Sequence, residues 1–293
     1  MKIFLTGRDG QIGWELCRSL AVLGDVHAFG RRDLDLAAPE AIRTAVRSIK
    51  PDVLVNAAGY TRVDDAESDF HAAMQVNGVA PGVLAEEARK CGALLLHFST
   101  DYVFDGLASR PYNENDAPNP INAYGRTKVA GEAAIAAACD RWIVLRTSWI
   151  YGTRGKNFLL SMLRLAREKK ELRVVNDQIG APTWCRNVAD AAAFVVRAST
   201  VDLESGIFHI ASRGSGSWYD FANAIFETAA RRLDFDVPRL CAIESSSYPR
   251  PARRPRNSML DTRKLSSRLG LQMPEWKVAL RMCVEDLARS AIR

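Results

Sequence analysis

Tyr124 and Lys128 stand four residues apart in Tyr124-Gly125-Arg126-Thr127-Lys128. On a helix that spacing puts a phenol and an amine on one face. A free phenol, with a pKa of about 10, is a poor proton shuttle at neutral pH, and a nearby ammonium that favours the phenolate brings it closer to a working range. The same spacing fits a Tyr–Lys pair on a solvated helix surface. Upstream, Ser99 and Thr100 close an apolar run that begins at Ala93. A hydroxyl at the carboxyl end of such a strand can polarise a carbonyl, or cap the turn that follows.

A third group of residues lies near the amino end, where Gly7, Gly10 and Gly13 separate the apolar run Lys2–Thr6 from the start of a helix. A tight turn with bare backbone there lets the pyrophosphate of a dinucleotide approach the N–H groups and the positive end of the helix dipole, although glycine-rich turns also occur without a ligand. Folds that prefer NAD carry an acid at the end of the second strand; here Phe29-Gly30-Arg31-Arg32 stands in its place. Arg31 favours the 2′-phosphate of NADPH. NADH remains the alternative, because Asp33 and Asp35 are close and Arg31 and Arg32 also fit a solvated pair. Asn56-Ala57-Ala58-Gly59 ends a third strand with small residues, which either let a cofactor lie across the strand ends or serve helix packing. Glycine loop, strand-end hydroxyl and Tyr–Lys helix, in this order, mark a short-chain dehydrogenase/reductase.

These groups need a scaffold, and the hydrophobic pattern supplies one. Strands are expected at Lys2–Thr6, Asp25–Phe29, Asp52–Asn56, Ala93–Ser99 and Trp142–Arg146. Helices are expected from the glycine loop to about Leu23 and over Pro39–Ile49, Phe70–Cys91 and Tyr124–Cys139. Such alternation predicts an α/β fold of Rossmann type, a doubly wound parallel sheet covered on both faces. Beyond Trp149 the rhythm loosens. The pattern there predicts helices at Asn157–Lys169 and Asn187–Arg197, strands near Arg173–Val175 and at Gly206–Ile210, and a capped helix start at Ser217-Trp218-Tyr219-Asp220. A long loop over Glu244–Asn257 and a terminal helix over Pro274–Ile292 follow. The expected organisation is a dinucleotide domain over residues 1–150 and a smaller C-terminal α/β substrate domain over residues 151–293, with some later segments returning to the first sheet.

Composition excludes several classes. Of the 293 residues 47% are hydrophobic and 25% charged, enough for a sizeable core. The apolar run at the amino end stops at Gly7, too short for a signal peptide or a membrane span. Six dispersed cysteines without CxxC pairs and four scattered histidines form neither a disulfide framework nor zinc spacing, so no metal and a reducing cytoplasm are expected. The net charge of +6 is spread along the chain except for a cluster from Arg250 to Arg256 and comes with no basic helix or stacking motif, so no nucleic-acid partner is expected.

Several longer stretches are more distinctive: Gly-Gln-Ile-Gly-Trp-Glu-Leu at 10–16, Pro-Asp-Val-Leu-Val-Asn-Ala-Ala at 51–58, and Thr61-Arg62-Val63-Asp64-Asp65-Ala66-Glu67. To these add Ser-Thr-Asp-Tyr-Val-Phe-Asp-Gly at 99–106, Asn-Ala-Tyr-Gly-Arg-Thr-Lys at 122–128, Arg-Thr-Ser-Trp-Ile-Tyr at 146–151 and Asn-Asp-Gln-Ile-Gly-Ala-Pro-Thr at 176–183. With them the chain resembles the dTDP-4-dehydrorhamnose reductase family along nearly its whole length. The resemblance implies a catalytic triad of Thr100, Tyr124 and Lys128, and substrate contacts from Thr100, Asp101, Tyr124 and Trp149. It implies cofactor contacts from Gly10, Gln11, Ile12, Asp35, Leu36, Gly59, Tyr60, Thr61, Phe98, Tyr124 and Lys128, to which the residue patterns above add Gly7, Arg31, Ala57 and Ala58.

The implied reaction is reduction of the 4-keto group of dTDP-4-dehydro-β-L-rhamnose to dTDP-L-rhamnose, a donor for surface polysaccharide, with Tyr124 delivering the proton and Thr100 hydrogen-bonding the same oxygen. Arg253, Arg254 and Arg256 either face the substrate's pyrophosphate or face solvent. Some members of the family dimerise around magnesium held by carboxylates. Glu15 and Glu285 could supply two, but Arg186 stands where those members carry an acid and a cation there repels the metal. No magnesium-linked dimer is therefore expected, and the chain is expected as a monomer or homodimer. The alternatives are a related 4-keto nucleotide-sugar reductase of other C4 stereochemistry and a non-catalytic nucleotide-binding subunit like the regulatory partner of methionine adenosyltransferase. Intact Thr100, Tyr124 and Lys128 argue against the second.

Overall fold

A strand flanked on both sides in a covered parallel sheet is buried on both faces, and β1 (Lys2–Thr6) is buried from Ile3 onward. The computed structural model to which it belongs describes residues 1–199, 204–232 and 236–291. The glycine loop leads to α1 (Gln11–Leu20), then β2 (Asp25–Phe29), α2 (Pro39–Ile49) and β3 (Val53–Asn56). Helix α1 stops three residues before the expected Leu23: Val22 is solvent-exposed, and Leu23 packs against the core from the turn that follows the helix.

The helical stretch Phe70–Cys91 is α3 (Phe70–Met74), a π segment (Gln75–Val79) and α4 (Ala80–Cys91). Pro81 supplies a reason for the wider turns: with no N–H it cannot donate to the carbonyl of Asn77. After it come β4 (Leu94–Thr100), α5 (Ala123–Ala138) and β5 (Trp142–Thr147). The Asn122 side chain caps α5 by accepting from Gly125 N at 2.7 Å.

The second half holds β6 (Ile150–Tyr151), α6 (Phe158–Glu168), β7 (Glu171–Val175), β8 (Ile179–Gly180), β9 (Thr183–Trp184), α7 (Cys185–Ser199), β10 (Gly206–His209) and β11 (Gly216–Ser217). It ends with α8 (Trp218–Ala229), β12 (Arg239–Ile243), α9 (Arg263–Leu269) and α10 (Trp276–Ala291). Ser217 and Asp220 form the expected capping box on α8. Ile292, the last residue of the expected terminal helix, lies outside the described residues.

Six parallel strands form the main sheet in the order β10-β5-β4-β3-β1-β2. Alternation along each strand builds two cores. Ile3, Leu5, Val53, Val55, Leu94, Leu96, Ile143 and Leu145 face α1 and α7, while Phe4, Leu54, Leu95 and Val144 face α2, α4 and α5. A third core joins α6, α8 and α10 around Phe221, Phe226 and Trp276, beside the parallel pair β7–β12. The chain thus returns to the main sheet late: β10 pairs with β5, and α7 lies on α1 from residues beyond 150.

Candidate active site

The chain winds from β1 to β2 in one direction and from β3 to β4 and β5 in the other, so a crevice opens at the carboxyl ends of β1 and β3. A cleft of about 780 Å³ lies there. Gly7 has φ +79°, and a Cβ on it would fall 2.6 Å from the backbone of Ala57, while one on Gly13 would fall 1.9 Å from the Gly7 carbonyl. Only bare backbone lets the loop, β3 and α1 meet this closely. No side chain caps the N-terminus of α1, so its N–H groups are left for an anion, and Gly7, Gly10, Gln11 and Ile12 line the cleft beside them. This cradle fits a dinucleotide pyrophosphate.

At the end of β2 the Asp33 carboxylate is already engaged. It accepts from Gly30 N at 2.8 Å and from Arg8 Nη2 at 2.7 Å, while Asp35 accepts from Ala37 N at 3.0 Å. Arg31 lines the cleft with Asp35 and Leu36. Ala57, Ala58, Gly59, Tyr60 and Thr61 form the opposite wall. Their loop is clamped by Asn77, whose side chain accepts from Tyr60 N at 2.8 Å and donates to Tyr60 O at 3.0 Å and Thr127 Oγ1 at 3.1 Å. Asn77 was not singled out in the sequence, since a buried asparagine inside a helical run carries no pattern of its own.

Deeper in, Phe98, Thr100, Asp101, Tyr124 and Lys128 line the same cleft. Lys128 is only 4% exposed, which removes the reading of a solvated Tyr–Lys pair. Its Nζ donates to the Phe98 carbonyl at 2.7 Å and lies 3.0 Å from His97 Nε2. Burial lowers the Lys128 pKa to about 8, against the nearby Glu132 charge. The Tyr124 phenol differs from expectation. Burial pushes it up to about 12 and Asp101 adds to the rise, while a hydrogen bond with Thr100 works the other way. Desolvation of the phenolate outweighs any help from a lysine whose own charge is disfavoured, so Tyr124 keeps its proton at neutral pH.

Thr100 and Ser99 part ways. Thr100 Oγ1 donates to Asp101 Oδ1 at 3.0 Å in the cleft, whereas Ser99 points to the other face and donates to Glu132 Oε1 at 2.5 Å. Glu132 also holds the buried Arg146 through contacts of 3.0 and 2.6 Å. Asp101 is 3% exposed, its Oδ2 is buried without a partner, and burial raises its pKa to about 7 against the Ser258 and Thr100 hydroxyls.

Trp149 and Trp218 form the outer wall, stacked on each other. Trp218 was read in the sequence only as part of a helix start. Of the loop arginines, Arg254 turns inward to Asp64 and to the Tyr102 hydroxyl, while Arg253 and Arg256 are exposed. Away from the cleft, Arg186 bridges Glu15 at 3.1 Å and Asp286 at 2.9 Å, and Glu285 pairs with Arg232 at 3.0 Å.

The family model described as RmlD substrate binding domain matches residues 1–289. A dTDP-4-dehydrorhamnose reductase of Burkholderia thailandensis is 48% identical over 295 residues, covering 98% of this chain and 99% of that protein. Among solved structures, a dTDP-4-dehydrorhamnose reductase from Clostridium acetobutylicum superposes with a TM-score of 0.92 at 36% identity over 98% of this chain and 99% of that one. Another from Bacillus anthracis, in complex with NADP, gives 0.91 at 32% identity over 97% and 99%.

Proposed function

The chain belongs to the dTDP-4-dehydrorhamnose reductase family, and on that premise we propose that it uses NADPH to reduce the 4-keto group of dTDP-4-dehydro-β-L-rhamnose to dTDP-L-rhamnose, for surface polysaccharide synthesis. The observation that carries the proposal is the meeting of Thr100, Tyr124 and a buried Lys128 in one cleft with the glycine cradle. Residues 1–150 are read as the cofactor domain and residues 151–293 as the substrate domain, with β10 and α7 completing the first.

NADPH bound in this cleft supplies the hydride. Gly7, Gly10, Gln11 and Ile12 hold its pyrophosphate, and Arg31, which lines the cleft while Asp33 is occupied by Arg8 and Gly30, meets the 2′-phosphate. Asp35, Leu36, Ala57, Ala58, Gly59, Tyr60, Thr61 and Phe98 shape the rest of the cofactor's path, and Lys128 holds the nicotinamide ribose. Tyr124, raised to about 12, arrives protonated and yields its proton to the C4 oxygen as that oxygen gains negative charge. Thr100 donates a hydrogen bond to the same oxygen, and the Lys128 cation steadies the phenolate left behind. Asp101 and Trp149 hold the sugar.

Among the described residues no helix is long and apolar enough to cross a membrane. We read the reductase as cytoplasmic, and as a monomer or homodimer. The test is to mix the purified chain with the 4-keto sugar nucleotide and NADPH, follow loss of nicotinamide absorbance and identify the sugar. A product of opposite C4 configuration, or cofactor binding without turnover, would replace this reading with one of its rivals.

A further inference from the structure

His97 interrupts an otherwise apolar run in β4, a strand buried along its whole length. It shares a face of β4 with Leu95 and Ser99, the face covered by α4 and α5, and is 1% exposed. Both ring nitrogens are engaged. Nε2 lies 3.0 Å from Lys128 Nζ, and Nδ1 lies 3.0 Å from Asn56 Nδ2. On the far side Asn56 Oδ1 accepts from the Thr6 hydroxyl at 2.6 Å and from Ala58 N at 3.3 Å. Thr6, Asn56, His97 and Lys128 therefore form a buried row across β1, β3, β4 and α5.

A neutral imidazole has one N–H and one lone pair. If Lys128 is an ammonium it can only donate, so Nε2 must accept and the ring proton sits on Nδ1, which then needs the oxygen of Asn56. If Lys128 is a neutral amine it accepts from Nε2–H, and Nδ1 accepts from Asn56 Nδ2. The amide interchanges its ends by a half turn, and the Thr6 hydroxyl can donate or accept. The row thus has two hydrogen-bond arrangements that differ in the charge of Lys128; the one with the amide turned gives up the 3.3 Å bond from Ala58 N. Burial and the Lys128 charge hold the His97 pKa well below its ordinary value, so the ring stays neutral and only its tautomer is free to change.

We propose that His97 is a positioning residue for the reduction: with the Phe98 carbonyl it fixes two directions of the Lys128 amine, leaves the third for the cleft, and changes tautomer with Asn56 when Lys128 gains or loses its proton. The other titratable groups around Lys128 are Tyr124 and Glu132 on α5 and Asp101 at the end of β4. Glu132 is tied to Arg146 of β5 and Ser99 of β4, while Asn56 on β3 and Asn77 on the π segment are uncharged. The kinetic arm of the test rests on the reductase reading; the spectroscopic arm does not.

The spectroscopic arm is nitrogen-15 NMR of the histidine-labelled full chain, titrated without substrate, with the four histidines assigned by single substitutions. The expected result is a neutral His97 whose proton moves from Nδ1 to Nε2 as pH rises through about 8, where Lys128 titrates, and a single pH-independent tautomer in Lys128→Met. A His97 that keeps one tautomer in the wild type, or becomes charged, overturns the inference. In the kinetic arm, His97→Gln offers the ammonium an acceptor with no tautomer to change, so the alkaline limb of kcat moves up by at least about half a pH unit, a roughly threefold change in proton affinity. A folded His97→Gln with an unmoved limb contradicts the inference. Should the wild type show the tautomer change yet fail to reduce the keto sugar, the reductase reading falls and the role of His97 beside Lys128 stands.

Discussion

The indole of Trp149 lies flat on that of Trp218, with centroids 3.6 Å apart and planes 2° from parallel. Trp149 takes φ +47°, a conformation that costs a bulky residue about 1–3 kcal/mol. It is held there by Nε1–H donating to Ser258 Oγ at 3.1 Å and by Gly180, where a Cβ would fall 2.4 Å from the ring. The structure thus holds a strained residue at the mouth of the cleft by stacking it. Because such a stack contributes about 0.5–1.5 kcal/mol, Trp218→Ala should raise KM for the sugar nucleotide up to about tenfold and leave the Kd for NADPH unchanged. Steady-state kinetics beside a cofactor titration checks this; equal losses in both would mean that the pair supports the whole cleft rather than the sugar.

Cofactor choice is predicted to rest on Arg31. Asp33 is bound to Arg8 and Gly30, and Asp35, the other acid after β2, lines the cleft with Arg31 and accepts from Ala37 N. Arg31→Ala should weaken NADPH binding about tenfold, or about 1.4 kcal/mol, with NADH little affected. Equal weakening of both cofactors would remove the 2′-phosphate contact.

Asp101 gives a pH signature in stability. Its pKa rises from 3.8 unfolded to about 7 folded, so the folded state binds the extra proton between those values. The stabilisation from that proton is fully present below pH 3.8 and is lost as pH rises through about 7. Asp101→Asn, neutral throughout, should therefore show a smaller drop in denaturant midpoint between mildly acidic and mildly alkaline buffer than the wild type. Parallel curves for the two proteins would count against a buried, protonated Asp101.

Arg146 and Glu132 form a buried ion pair, 1% and 6% exposed. Removing one member leaves the other charged and unpaired, so Glu132→Ala should cost about 3–5 kcal/mol. Urea unfolding measures it. A loss under about 1 kcal/mol would show that water reaches Arg146.

Much of this was legible in the sequence because it is periodic. Strands buried on both faces show as apolar runs, and β2 and α2 have the bounds that Asp25–Phe29 and Pro39–Ile49 suggested. The glycine spacing and the Tyr–Lys interval are local geometry, and local geometry survives in a string of letters. What escaped is long-range. The two-residue strands β6, β8, β9 and β11 have no period to display, and β12 went unnoticed beside the long loop that follows it. Ser99 and Thr100 look alike in sequence, but strand parity sends one to Glu132 and leaves the other in the cleft. His97 did leave a signal, a lone polar residue in a run of leucines, whose meaning depends on Lys128 arriving from another element. The raised Tyr124 phenol escaped for a related reason: spacing shows that an ammonium is near, while only burial decides whether its charge prevails.

The most direct test of the account is the reduction itself, run with Tyr124→Phe beside the wild type on the 4-keto sugar nucleotide and NADPH. The account predicts that the wild type oxidises the cofactor and forms dTDP-L-rhamnose, and that the variant still binds NADPH while kcat falls about 10²–10⁴-fold. Turnover by Tyr124→Phe at the wild-type rate would contradict it.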